Sequence, residues 1–237
     1  MTVSLNTQRD SLATMPSPMK SETMLASLSQ LSLQNLLPLY NERAVLAGRT
    51  GSGKTTLAER LLRHYGYVAV LDIKGRLDWQ GYDRKTKLAE VMKSEHTHII
   101  YAPEWSEMKF DPKRENWSDY IDTFFRWVYE RANTVLYVDE VMSITRGDEM
   151  PEFYRASLTR GRELGVAVFS STQRPMRIPQ VILSESEHYY IFSLQLAQDR
   201  AKVEQLAGQK FPIVRGHEFA YTKVGTEHPP RKFILIP

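Results

Sequence analysis

Gly48 to Thr55 reads "GRTGSGKT", three glycines ahead of a lysine and a threonine at fixed offsets. Glycine tolerates the turns that let successive backbone N–H groups converge on phosphate oxygens, and the following helix N-terminus adds its partial positive charge. Lys54 then reaches for the β- and γ-phosphates, and the Thr55 hydroxyl suits Mg2+. The pattern predicts ATP binding, with Gly48, Arg49, Thr50, Gly51, Ser52, Gly53, Lys54, Thr55 and Thr56 as the phosphate-binding set.

Two further segments carry chemistry. "TVLYVDE" ends an apolar strand in Asp139 and Glu140. A strand that delivers a carboxylate beside a phosphate loop supplies the Mg2+ ligand, here Asp139. Side chains alternate along a strand, so Glu140 points elsewhere and is placed to take a proton from an attacking water. That argues for hydrolysis, since a kinase uses its acceptor substrate as nucleophile. "VAVFSSTQRP" runs an apolar strand into Gln173, whose amide is expected to meet the γ-phosphate or the water. Developing charge in phosphoryl transfer is often met by an arginine from a neighbouring subunit. Arg146, Arg160, Arg162 and Arg174 all lie in or beside these segments, and any of them could be that arginine.

These segments need a scaffold that brings them to one edge. Apolar runs at 43–47, 67–73, 98–102, 134–139, 166–171 and 188–193 alternate with helical patterns at 54–65, 86–96, 117–131, 152–164 and 196–207. Trp117, Ile121, Phe124 and Val128 share one helical face, and Gly66, Gly165 and Gly208 stand where left-handed helix caps are wanted. Near-continuous apolar strands alternating with helices give an α/β fold, a mainly parallel sheet covered on both faces. "HEFAYTK" and "RKFILI" add a C-terminal antiparallel pair. Ligands of such sheets bind at the carboxyl ends of the strands.

Residues 1–40 hold seven serines and four charged residues. They are expected to form a tail with a docking helix over 22–38, ahead of a motor domain over 41–237. The chain lacks cysteine, a secretory signal and an apolar run long enough to span a membrane, which predicts a reducing, cytoplasmic setting. A net charge of +3 permits a polyanionic partner without demanding one. Lys74, Arg76, Arg84, Lys85 and Lys87, with Trp79 and Tyr82, make 74–87 a candidate for phosphate contacts, and "RPMR" at 174–177 is another.

The phosphate loop, "YVDE", "VLDIKG" and above all "GRELGVAVFSSTQRP" resemble the FtsK–HerA group of ring-forming, DNA-pumping ATPases, over roughly residues 43–223. The resemblance implies a P-loop NTPase fold, double-stranded DNA as substrate, a homo-oligomeric ring, usually hexameric, and Arg162 at the subunit interface. The chain leaves no room for the membrane anchor, winged-helix domain or N-terminal barrel of cellular members. It is thus most similar to the genome-packaging ATPases of tailless, internal-membrane phages and related archaeal viruses, which implies a capsid vertex or portal partner. A conjugation ATPase of the same group and a phage morphogenesis ATPase acting on protein are the alternatives.

Overall fold

Every residue of the strands Arg43–Ala47 (β2), Val68–Asp72 (β3), Val135–Asp139 (β6) and Ala167–Thr172 (β7) is buried. That requires cover on both faces of their sheet, and two separate apolar layers provide it. The computed structural model describes residues 26–27, 34–108 and 119–235. Within them the remaining strands are Ala26–Ser27 (β1), Asp83–Lys85 (β4), His98–Tyr101 (β5), His188–Ile191 (β8), Glu218–Lys223 (β9) and Arg231–Ile234 (β10). They join one sheet in the order β1-β10-β9-β8-β2-β7-β6-β3-β5-β4. The stretch from β8 to β4 is parallel throughout, and β9 pairs antiparallel with both β8 and β10.

The helices are Lys54–Leu62 (α1), Leu88–Val91 (α2), Trp105–Met108 (α3), Asp119–Arg131 (α4), Glu152–Arg160 (α5), Gln180–Ser184 (α6) and Ala197–Ala207 (α7). Strand alternation sorts the core. Leu57 and Leu61 of α1 pack with Ala44, Leu46, Tyr137 and Phe169 on one face. Ile121, Phe124 and Val128 of α4, with Tyr154 of α5 and Val203 of α7, pack with Val45, Leu136, Val138 and Val168 on the other. The helical face expected from Ile121, Phe124 and Val128 is therefore core, while Trp117 lies outside the described residues.

Several expectations are corrected. The segment 86–96 holds only the single helical turn of α2. The 152–164 helix gives way at Gly161 to a tighter 3-10 turn over Gly161–Leu164, because the chain must pass under Val166. A Cβ at Gly161 would lie 3.1 Å from the Val166 carbonyl oxygen. Gly165 and Gly208 are left-handed caps, but Gly66 is not: α1 ends earlier, at Leu62, and the Gly66 N–H bonds the Tyr40 hydroxyl at 2.6 Å. Within the 22–38 stretch, Ala26–Ser27 form a strand parallel to β10, and the rest of that helix expectation falls largely outside the described residues.

Candidate nucleotide site at the strand ends

The carboxyl ends of β2, β7 and β6 stand side by side, because β7 lies between the other two. The phosphate loop leaves β2 and is tied to both neighbours, by Gly48 N–H to the Thr172 carbonyl at 3.1 Å and Arg49 N–H to the Ser193 carbonyl at 2.9 Å. Two glycines are required here for different reasons. At Gly48 a Cβ would sit 2.5 Å from Phe192 Cβ, so the loop could not approach β8. At Gly53 the backbone is left-handed, with φ +103°, and a Cβ would meet Leu235 at 2.9 Å. Ser52 is buried, Thr55 half-buried and Thr56 exposed on the first turn of α1.

Lys54 is buried and its Nζ donates to the Gly48 carbonyl at 2.7 Å and the Arg49 carbonyl at 3.0 Å. The ammonium therefore sits inside the curve of the loop, where phosphate oxygens are expected. Burial brings its pKa down to about 8, against the upward pull of Glu140 and Asp139 and with a small downward push from Lys74. A polyphosphate held by Lys54 favours the charged form. Below about pH 8 the free protein already carries that charge, and above it binding must take up a proton. ATP affinity should therefore be steady to about pH 8 and weaken as the pH rises further. Titration calorimetry from about pH 7 to about pH 10 checks this, because a flat affinity would contradict the assignment of Lys54.

Asp139 ends β6 beside Asp72 of β3, its register partner. The Tyr137 hydroxyl, two residues back on the same face, donates to Asp139 Oδ1 at 3.0 Å. The phenol thus orients one of the two groups expected to hold a metal. Tyr137 is fully buried under Trp79, stacked at 5.7 Å between ring centroids. Burial first, then the Asp139 charge, pushes its own pKa up, so it stays a hydrogen-bond donor. The Asp72 carboxyl is also raised, chiefly by burial, and one of its oxygens has no partner.

Glu140 is buried and left-handed, with φ +70°, a conformation costing a non-glycine residue roughly 1–2 kcal/mol. Its Oε1 faces the Gln173 N–H at 3.4 Å and its Oε2 the Lys74 ammonium at 3.4 Å. The Gln173 side chain turns the other way and accepts the Thr50 hydroxyl at 2.7 Å. Gln173 therefore bridges the phosphate loop and Glu140, through its side chain to the one and its backbone to the other. Lys74 was legible only as part of a basic loop, and Tyr137 carried no signal beyond a strand aromatic.

The arginines divide. Arg174 is committed to the buried Asp199 at 2.9 Å. Arg162 follows α5 at the opposite edge of the sheet, just ahead of β7, where it pairs with Glu187 and stays largely exposed. Arg160 is exposed beside it. Neither lies at the strand ends that carry the chain's own phosphate loop. One aromatic of 74–87 is corrected: Trp79 is core and offers no face to a ligand, with half-buried Tyr82 packed edge-to-face against it. Arg84 and Lys85 belong to the edge strand β4, with Lys85 paired to Asp83 at 3.0 Å.

No family model matches the sequence. Among curated proteins the chain is similar to the DNA packaging ATPase P9 of Enterobacteria phage PRD1, 26% identical over 171 residues, 71% of each chain. Among solved structures it resembles the genome packaging NTPase B204 from Sulfolobus turreted icosahedral virus 2 in complex with AMPPCP. That match has a TM-score of 0.61 at 16% identity, over 82% of this chain and 99% of the other. The pCW3 conjugation coupling protein TcpA shares the fold more distantly, with a TM-score of 0.52 at 12% identity, over 82% of this chain and 60% of its own length. With a complete phosphate loop, Asp139 ending β6, Glu140 directly after it and Gln173 after β7, the chain has a P-loop NTPase fold and is similar in sequence to a phage DNA packaging ATPase.

Proposed function

We propose that this protein hydrolyses ATP to drive double-stranded DNA into a viral capsid. The observation that carries the reading is the bridge from Thr50 through Gln173 to Glu140, because it joins the phosphate loop to a carboxylate placed as a hydrolytic base. Gly48 to Thr56 bind and orient the polyphosphate, and Lys54 meets its negative charge. Glu140 accepts the proton of the attacking water, and Gln173 aligns that water against the terminal phosphate. Among the described residues no three His, Cys, Asp or Glu side chains gather as metal ligands. Thr55 on the first turn of α1 and Asp139 at the end of β6, oriented by Tyr137, fit a cation whose other ligands are water and phosphate oxygens. Bound there, Mg2+ supplies charge neutralisation on the β- and γ-phosphates.

The packaging role rests on the phage relative and on the shared fold of the archaeal virus NTPase. Arg162 lies across the sheet from its own phosphate loop, so it suits action on a neighbour's nucleotide, and a homo-oligomeric ring, hexameric as in this superfamily, puts it there. Packaging sets the ring at a capsid vertex or portal, in the host cytoplasm or on the virion. No described helix is long and apolar enough to cross a membrane. Lys74, Arg76, Arg84, Lys87 and Arg177 are the exposed basic residues at or near the strand-end edge that suit the DNA backbone. ATP turnover measured with and without long duplex DNA tests the reading. Stimulation is expected, and a rate indifferent to DNA would favour a morphogenesis ATPase acting on protein.

A further inference from the structure

We propose that Lys74 is a restraint on Glu140, released when DNA engages the basic segment that Lys74 begins. The inference rests on the hydrolytic reading of Glu140 above. Both oxygens of the carboxylate are engaged, one by the Gln173 N–H and one by the Lys74 ammonium, each at 3.4 Å. The ammonium takes a lone pair of the carboxylate that an attacking water would otherwise use. Both contacts are long, and they hold a residue whose backbone is itself strained. Such a side chain is poised to move rather than locked.

The turn that carries Lys74 is built to transmit a pull. The Gly75 N–H closes it onto the Asp72 carbonyl at 3.1 Å, and Asp72 Oδ2 accepts the Leu77 N–H at 2.7 Å. Gly75 is left-handed, with φ +63°. Beyond the turn Trp79 anchors the chain against Tyr137, so the far end is fixed. Between these anchors lie Lys74, Gly75 and Arg76, all exposed. Arg84, also exposed, donates from its guanidinium to the Gly75 carbonyl at 3.1 Å, beside Lys74. A DNA phosphate is a stronger acceptor for Arg84 than a carbonyl. Taking Arg84, and then Lys74 itself, withdraws the ammonium from Glu140 and frees that oxygen for water. The polar chain Thr50–Gln173–Glu140–Lys74 thus links nucleotide at one end with DNA at the other.

The test is steady-state ATP turnover of full-length Lys74→Met and Lys74→Arg proteins, with and without long duplex DNA. Lys74→Met should raise the DNA-free rate by at least ~5-fold, with little further gain from DNA, since coupling between sites typically spans that range upward. Lys74→Arg keeps the charge and should keep a low basal rate with DNA stimulation. A Lys74→Met protein with unchanged basal rate overturns the restraint, even if stimulation is lost, because Lys74 then only contacts DNA. A fall in both rates overturns it as well. If Lys74→Met fails to fold, Lys74→Gln carries the same expectations. Failure of the packaging reading is separable: it shows as a wild-type rate indifferent to DNA, whereas the rise in basal rate is read without DNA.

Discussion

Glu140→Gln should bind ATP with near wild-type affinity and turn it over at least ~100-fold more slowly, the usual range for removing a positioned general base. The substitution keeps the size of the side chain and an oxygen for the Gln173 N–H, so the phosphate loop is undisturbed. Lys54→Ala fails at an earlier step. It removes the buried ammonium inside the loop, so both affinity and turnover should collapse. Calorimetry for affinity and phosphate release for rate separate the two variants. Turnover near normal in Glu140→Gln would take the base role from this residue and leave its strained backbone without a catalytic explanation.

Arg162→Ala should leave ATP affinity intact while lowering turnover by ~10³-fold or more, the scale of an arginine finger supplied in trans. The geometry gives a specific reason. Arg162 sits beside Glu187 and the start of β2, at the edge opposite the phosphate loop, so loss of its side chain cannot touch nucleotide in the same subunit. Mixing Arg162→Ala with Glu140→Gln subunits then discriminates. An interface that joins an intact base to an intact finger should recover activity that neither variant has alone. If no mixture recovers any, Arg162 is not the finger, and Arg160, exposed two residues earlier, inherits the test.

The strongest features of this molecule were legible because they are local. A glycine pattern between a strand and a helix specifies its own backbone, and strands buried on both faces announce a parallel sheet by unbroken apolar runs. The neighbour relation of Gln173 and Glu140 also followed, since consecutive motifs of one sheet share an edge. The remaining features depend on non-local packing. β4 reads "DRK", a charged three-residue edge strand without apolar periodicity, so it looked like loop. Trp79 sits among lysines and arginines yet turns inward onto Tyr137, which no spacing rule foretells. The contact between Lys74 and Glu140 joins residues 66 apart in sequence through the turn closed by Asp72. Helix ends missed at residues 63–66 and 161 for a related reason: tertiary packing under Tyr40 and Val166 decided them.

In the proposed function, hydrolysis at the strand ends is coupled to duplex DNA passing through an assembled ring. The most direct measurement is ATP turnover of the assembled protein against duplexes of increasing length, at matched concentration of base pairs. The account predicts stimulation that grows with length, since only DNA long enough to thread the ring engages every subunit. It also predicts stimulation that is blind to sequence and weakens steeply with salt as counterion release loses its drive. A rate that stays flat across all lengths, with the ring shown to be assembled, would contradict it.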